Sequence, residues 1–276
     1  TTEIYTLSLH DALPISDHEA LTTCLAARRC GPLGSATRFA LIAAEPGDAS
    51  ALRRLGTYGF IKGATGYIVG AVHKGPRDLE DYGYVLEEIV LRATELGLGT
   101  CWLGGTFTRG SFTSRFGGVG RHESVPAVVS LGYPGDDGGV ARIHEREHGS
   151  RRLPPGDLFF EGDWGVPLER LGSYAAALHA VRMAPSATNR QPWRIVRRGD
   201  DWHFCLSRYR WYGPRSPLLL ALRIAGLQRV DLGIAMCHFE LVARECGEHG
   251  RWEVTEPGLS LPGPGTEYVI TWRAGG

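Results

Sequence analysis

The sequence predicts an α+β protein built from two copies of one unit, and three observations lead there. Two stretches of equal length match at a constant offset. Each match contains a long helix with one apolar stripe. Short apolar runs that read as buried strands surround these helices without strict strand–helix alternation, which excludes a regular βαβ fold.

The repeat is the strongest of the three, because self-similarity at a fixed offset governs how everything else is read. "DYGYVLEEIVLRATELGLGTCW" (81–102) aligns with "DLGIAMCHFELVARECGEHGRW" (231–252) at an offset of 150. Seven of the 22 positions are identical: Asp81/Asp231, Gly83/Gly233, Leu91/Leu241, Ala93/Ala243, Glu95/Glu245, Gly97/Gly247 and Trp102/Trp252. Composition alone gives roughly one or two. Upstream, Ser-Ala-Thr recurs at 35–37 and 186–188, and Gly-Asp at 47–48 and 199–200. The offset drifts one residue at a time, as single insertions produce. The copies are placed at 17–165 and 166–276. Two copies in one chain imply a pseudo-twofold, a single chain imitating a homodimer, with the site between the halves.

Each copy opens on a helix, Leu21–Ala27 and Tyr174–Val181, that leads into the Ser-Ala-Thr turn. A strand follows, Arg38–Ala44 and Trp193–Arg197. In the long helix Val85, Ile89 and Ala93 fall at i, i+4 and i+8, and Ala235, Phe239 and Ala243 repeat that stripe. Gly97 and Gly99 mark its stop. Asp81 and Asp231 are read as helix N-caps rather than acid/base groups, since each opens an apolar-striped helix. "GYIVGAVH" (66–73), "VPAVVSLGY" (125–133) and "YVITW" (268–272) are buried-strand candidates. Segment 136–156 is polar, charged and rich in Gly and Pro, the composition of a crossover arm.

Residues 1–16, "TTEIYTLSLHDALPIS", lack the basic and apolar regions of a signal peptide. They resemble one reading frame of a widely used sequencing-adapter DNA. They are taken as an assembly artefact and set outside the fold reasoning.

Composition excludes several classes. Of 276 residues, 43% are hydrophobic and 22% charged, ordinary for a globular protein, and the formal net charge of zero argues against nucleic-acid or anionic-membrane partners. No apolar run reaches the roughly 18 residues of a membrane helix. The six cysteines show no metal or CxxC spacing and read as free thiols of a reducing cytoplasm. The ten histidines show no ligand spacing; His144 and His148 lie in the polar arm and read as solvated, so no metal site is expected. "RYRWYGPR" (208–215) interleaves arginines with aromatics, but without a basic surface it reads as a covering loop rather than a nucleic-acid stack. No nucleophile elbow or P-loop is present.

The segment that stands out chemically is "APSATNRQPW" (184–193). Turn chemistry and capping account for Pro185 and Ser186. They do not account for Asn189 with Gln191. This turn resembles the A-P-S-x-x-N-x-Q-P-W turn of the nitroreductase family of flavoproteins. "GLGTCWLGG" (97–105), "LGYP" (131–134) and "SRRLPPGDLFF" (150–160) resemble that family's glycine strand, late strand and basic tail. "GTYGFIKGA" (56–64) and "RVDLGIAMCHFELVARE" (229–245) are similar to its fused, tandem branch.

The resemblance implies a mixed sheet flanked by helices, with FMN bound between the halves. Trp102, Leu103, Gly104 and Gly105 would meet one side of the flavin, where glycine lets a backbone N–H come close. Pro185, Ser186 and Ala187 would lie near the isoalloxazine ring, and Asn189 and Gln191 would brace the turn or reach the flavin's polar edge. Arg151 and Arg152 would reach the phosphate. The implied activity is that of a cytoplasmic, monomeric FMN-dependent oxidoreductase. NADH or NADPH would be the transient reductant, and a small-molecule acceptor such as a nitroaromatic or quinone the substrate. The cofactor carries the hard step, so no catalytic side chain is assigned. Two departures stand out. The family's opening Arg-Arg-Ser-x-Arg segment is missing. "GSATRF" (34–39) also lacks the Asn-x-Gln-Pro-Trp half of the turn, so one competent site is expected. These departures leave a second reading, a non-catalytic or vestigial flavin-binding pseudo-dimer.

Overall fold

A computed structural model describes residues 5–6, 13–43, 52, 61–62, 64–105, 107–133, 152–208 and 226–275. Two compact units divide the chain between Gly149 and Ser150. The division falls ahead of the 165/166 boundary read from the repeat. The reason is strand β8 (Phe159–Glu161), which pairs in parallel with β9 (Trp193–Arg198) and so joins the sheet of the second unit. Arg151, His144, His148 and residues 209–215 lie outside the described residues.

The first unit contains α1 (Ile15–Ala27), α2 (Asp78–Glu95) and α3 (Arg109–Arg115). Its strands are β1 (Tyr5–Thr6), β2 (Thr37–Ala43), β3 (Ile61–Lys62), β4 (Gly66–His73), β5 (Gly99–Leu103), β6 (Glu123–Ser124) and β7 (Val128–Gly132). The main sheet runs β2-β4-β7-β5, antiparallel at each step, with β6 beside β4; β1 and β3 form a separate parallel pair. β4 is buried along all but its last residue, which explains why it reads as an unbroken apolar run. In α2 the predicted stripe of Val85, Ile89 and Ala93 is fully buried, and Tyr82 beside it donates its hydroxyl to the Ala127 carbonyl at 2.6 Å.

The second unit holds α4 (Pro155–Leu158), α5 (Ala175–Met183) and α6 (Leu227–Glu245). Beyond β8 and β9 its strands are β10 (Asp201–Ser207), β11 (Gly250–Glu253) and β12 (Thr266–Ala274). Its sheet runs β8-β9-β10-β12-β11. Without β8, this is the strand order of the first unit: β9, β10, β12 and β11 take the places of β2, β4, β7 and β5. Both sheets are flanked by the matching helices, α1 and α2 in one unit and α5 and α6 in the other. The fold is thus the expected α+β arrangement.

The matched helices also stop alike. Gly97 and Gly247 take φ of 77° and 85°. The next N–H reaches back to a carbonyl five residues earlier, Leu98 to Ala93 at 3.0 Å and Glu248 to Ala243 at 2.9 Å. This left-handed stop needs a residue without Cβ, which is why glycine stands at both repeat positions.

The starts correct the sequence reading. Asp81 and Asp231 are not N-caps. Arg77 and Gly226 hold those positions, without side-chain caps. Asp81 lies in the first turn of its helix and Asp231 just past that of its own; both are buried and accept N–H groups of other segments. Among the described residues no helix is long and apolar enough to cross a membrane.

The second unit's core is centred on one ring. Phe239 packs on Tyr174, Trp202, Phe204 and Trp272 at centroid distances of 5.5, 5.8, 5.2 and 5.9 Å. Aromatic pairs at such distances add to plain burial. Phe239→Ala leaves that ring space empty. Urea unfolding of the variant should show a loss of about 3–5 kcal/mol; a loss below about 1 kcal/mol would mean that the aromatic cluster repacks freely.

Candidate functional site

The turn after α5 is the most constrained backbone in the described chain. Thr188, Asn189 and Gln191 have φ of 52°, 53° and 47°, and they are the only non-glycine residues with positive φ among the described residues. An L-residue in the left-handed region costs about 1–2 kcal/mol, less for asparagine. In the matching turn of the first unit the counterparts Thr37, Arg38 and Ala40 are not left-handed, and the positive φ is that of Gly34, at 95°, ahead of the Ser-Ala-Thr. Three unfavourable residues in one turn persist only where surrounding bonds fix them, and such clusters mark functional positions.

Those bonds come first from the turn itself. Ser186 Oγ accepts the Gln191 N–H at 2.9 Å, and the Ser186 carbonyl accepts the Asn189 N–H at 2.9 Å. The Gln191 side chain is 1% exposed. Its Nε2 donates to the Asn189 carbonyl at 3.1 Å and to Asn189 Oδ1 at 3.2 Å. Its Oε1 accepts the Leu153 N–H at 2.9 Å. Of the two roles considered for Gln191, bracing is the one its geometry displays.

The basic tail supplies the second set. Arg152 donates from Nη1 to the Ala184 carbonyl at 2.7 Å and from Nη2 to the Met183 carbonyl at 2.8 Å. It thereby closes the C-terminal end of α5, where exposed carbonyls favour a cation. Burial, reinforced by neighbouring Arg182, pushes its pKa down to about 10, so it stays charged at neutral pH. Arg182 Nε donates to the Leu153 carbonyl at 2.8 Å. Contact of Arg152 with a phosphate would compete with the two carbonyl bonds.

The third support is Asp231 on α6. Its Oδ1 accepts the Ala187 N–H at 3.0 Å, and its Oδ2 is buried without a partner among the described residues. Burial pushes its pKa up to about 8, opposed by the Ala187 N–H. The twin, Asp81, accepts from Leu33 at 2.8 Å on Oδ1 and from Ser35 at 2.7 Å on Oδ2. Both repeat aspartates thus hold the Ser-Ala-Thr turn of their own unit.

The remaining predicted residues sit in the first unit. Trp102 and Leu103 end β5, which pairs only with β7 among the described strands, and Gly104 and Gly105 form the bend that follows. Leu103 is buried with Phe107 and Phe112. The Trp102 indole donates from Nε1 to Glu87 Oε2 at 2.9 Å. The second unit has a similar bond from a different repeat position: Trp252 Nε1 donates to Glu240 Oε2 at 2.6 Å, where Glu240 aligns with Val90 and Glu87 with Cys237. Sequence reading missed Glu87. Its signal was a carboxylate in a helix otherwise apolar on the side facing a repeated tryptophan. Burial pushes the thiol of Cys101, next to Trp102, up to about 12.

A cavity of about 290 Å³ opens elsewhere in the second unit, bounded by Tyr174, Arg197, Asp200, Trp202 and Glu248. None of the residues predicted from sequence lines it.

Comparison with known proteins follows the same lines. Residues 27–243 match the family model described as "Putative TM nitroreductase". The solved structure of a "putative nitroreductase" from Thermotoga maritima is similar over 96% of this chain and 88% of its own, at 20% identity and a TM-score of 0.54. That likeness is one of fold. An "oxidoreductase containing FMN" matches over 60% of this chain and 91% of its own, at 18% identity and a TM-score of 0.44. A "putative nitroreductase in complex with FMN" from Desulfovibrio desulfuricans matches over 49% and 80%, at 18% identity and a TM-score of 0.36. No curated protein matches the chain.

The site carries a pH signature. Asp231 keeps its proton to about pH 8 when folded, against an ordinary value of 3.8. Between the two the folded state binds more protons than the unfolded, so this group's stabilisation is lost as pH rises. Asp231→Asn has no such proton. Urea midpoints measured from pH 5 to 8 should fall less steeply in the variant; parallel slopes would show that Asp231 ionises as an ordinary carboxylate.

Proposed function

Since the chain belongs to the family described as "Putative TM nitroreductase", we propose that it is an FMN-dependent oxidoreductase. It would take reducing equivalents from NADH or NADPH and deliver them to a small acceptor such as a nitroaromatic or quinone. The observation that carries the reading is the strained turn 184–193, held in three left-handed residues by bonds from three directions.

The residues present fit a flavin. The cluster of non-glycine left-handed backbone is confined to the turn that would face the ring. A buried polar oxygen, Asp231 Oδ2, lies behind that turn without a partner among the described residues. Gly104 and Gly105 offer a bend without side chains, where backbone N–H groups can approach a planar ligand. FMN, when bound, supplies the two-electron transfer that no side chain here provides.

The chain's own residues bind and orient. Pro185, Ser186 and Ala187 present the rigid backbone of the turn. Asn189 and Gln191 keep that backbone in place. In the first unit, Trp102 is fixed by Glu87 and leads through Leu103 into Gly104 and Gly105. Arg152 adds positive potential for a phosphate while it keeps its carbonyl bonds. Arg151 is the guanidinium proposed to touch the phosphate directly.

The shared strand order and the two aspartate-to-turn bonds support a tandem duplication with copies at 17–165 and 166–276. Free thiols among the described cysteines support a reducing cytoplasm. A monomer suits a chain that carries both copies. A second reading, a flavin-binding protein without turnover, is favoured by one observation: Arg152 is already spent on carbonyls.

An absorbance spectrum separates the readings. The purified chain is mixed with FMN, freed of excess and titrated anaerobically with NADH and NADPH. The proposal expects a retained flavin band that one of the two bleaches. A retained band that neither bleaches supports the second reading. A colourless protein sinks both.

A further inference from the structure

Asp231 is poorly explained as a structural residue. A buried acid that meets one donor and leaves its other oxygen without a partner is a liability to the fold. Its twin is the internal standard. Asp81 stands at the same repeat position, on the matched helix, beside the same Ser-Ala-Thr turn, and both its oxygens are matched by N–H groups. The liability in the second unit is doubled by Gln228, three residues earlier and so on the same side of α6, whose Nε2 is also buried without a partner among the described residues. The first unit has no strained turn: Thr37, Arg38 and Ala40, the counterparts of the three residues, are not left-handed. The imperfectly satisfied aspartate stands only behind the turn that carries the three strained residues.

We infer that Asp231 is a positioning residue for flavin binding. It is retained at a cost to stability because its Oδ1 holds the Ala187 N–H and thereby fixes the ring-facing backbone of Pro185, Ser186 and Ala187. The inference rests on the flavin reading above. Burial also raises the acid's pKa, so the group behind the turn is largely neutral near pH 7 and holds the N–H without placing a full charge there. Asp81, by the same comparison, is an ordinary structural clamp.

The test compares four full-length proteins: wild type, Asp231→Leu, Asp231→Asn and Asp81→Leu. Thermal midpoints are measured without flavin, and FMN affinity is measured by quenching of flavin fluorescence. Asp231→Leu removes the unsatisfied oxygen along with the bond, so its midpoint should stay within about 2 °C of wild type. Its FMN affinity should fall at least about tenfold. Asp231→Asn keeps an acceptor for Ala187 and should bind FMN within about threefold of wild type. Asp81→Leu strands two N–H groups; its midpoint should fall furthest, while its folded fraction binds FMN normally. The inference is overturned if Asp231→Leu binds FMN like wild type. It is overturned equally if Asp231→Leu loses as much stability as Asp81→Leu, which would make both aspartates structural. Wild type that fails to bind FMN overturns the flavin reading itself, and this inference with it.

Discussion

The structure depends on holding three non-glycine residues in the left-handed region. Backbone propensity tolerates that region for Asn189 but not for Thr188 or Gln191. Bonds within the turn through Ser186 and Gln191 are joined by three that reach beyond it: the Leu153 N–H to the Gln191 amide oxygen, the Arg152 guanidinium to the end of α5, and the Ala187 N–H to the Asp231 carboxyl. Each of these three requires an element brought from far along the chain. The sheet and α6 have to be in place before the turn can take its shape. The rigid platform is therefore a product of the whole unit rather than of a local motif.

The first unit shows what the same frame does without that demand. Its sheet has the same strand order, its long helix the same glycine stop, and its aspartate the same grip on a Ser-Ala-Thr turn. Its Thr37, Arg38 and Ala40 are not left-handed, and its aspartate is fully matched. At the end of its β5, Trp102, fixed by Glu87, leads through Leu103 into two glycines that the second unit lacks after Trp252.

Much of this was legible in the sequence. Strand β4 spans the apolar run read at 66–73, and β12 encloses 268–272. Apolar runs and a 3.6-residue stripe report burial directly, and burial is what these elements share. The glycine stops were legible because only one residue type does that work well. Asp81 and Asp231 were misplaced as caps. An aspartate near a helix start has a strong local meaning, and the sequence cannot display the distant N–H that takes it instead. Gln191 and Glu87 show the same limit. Each is a polar side chain made necessary by a partner 38 or 15 residues away. Arg152 was recognised as a cation with a task, but its carbonyl partners become visible only once α5 ends beside it.

The central claim is that the strained turn exists to face a flavin. Its most direct test is a crystal structure of the chain reconstituted with FMN. The account predicts isoalloxazine density against Pro185, Ser186 and Ala187, with Thr188, Asn189 and Gln191 still left-handed. Flavin density seated in another part of the molecule, or a turn relaxed to ordinary backbone angles beside the flavin, would contradict it.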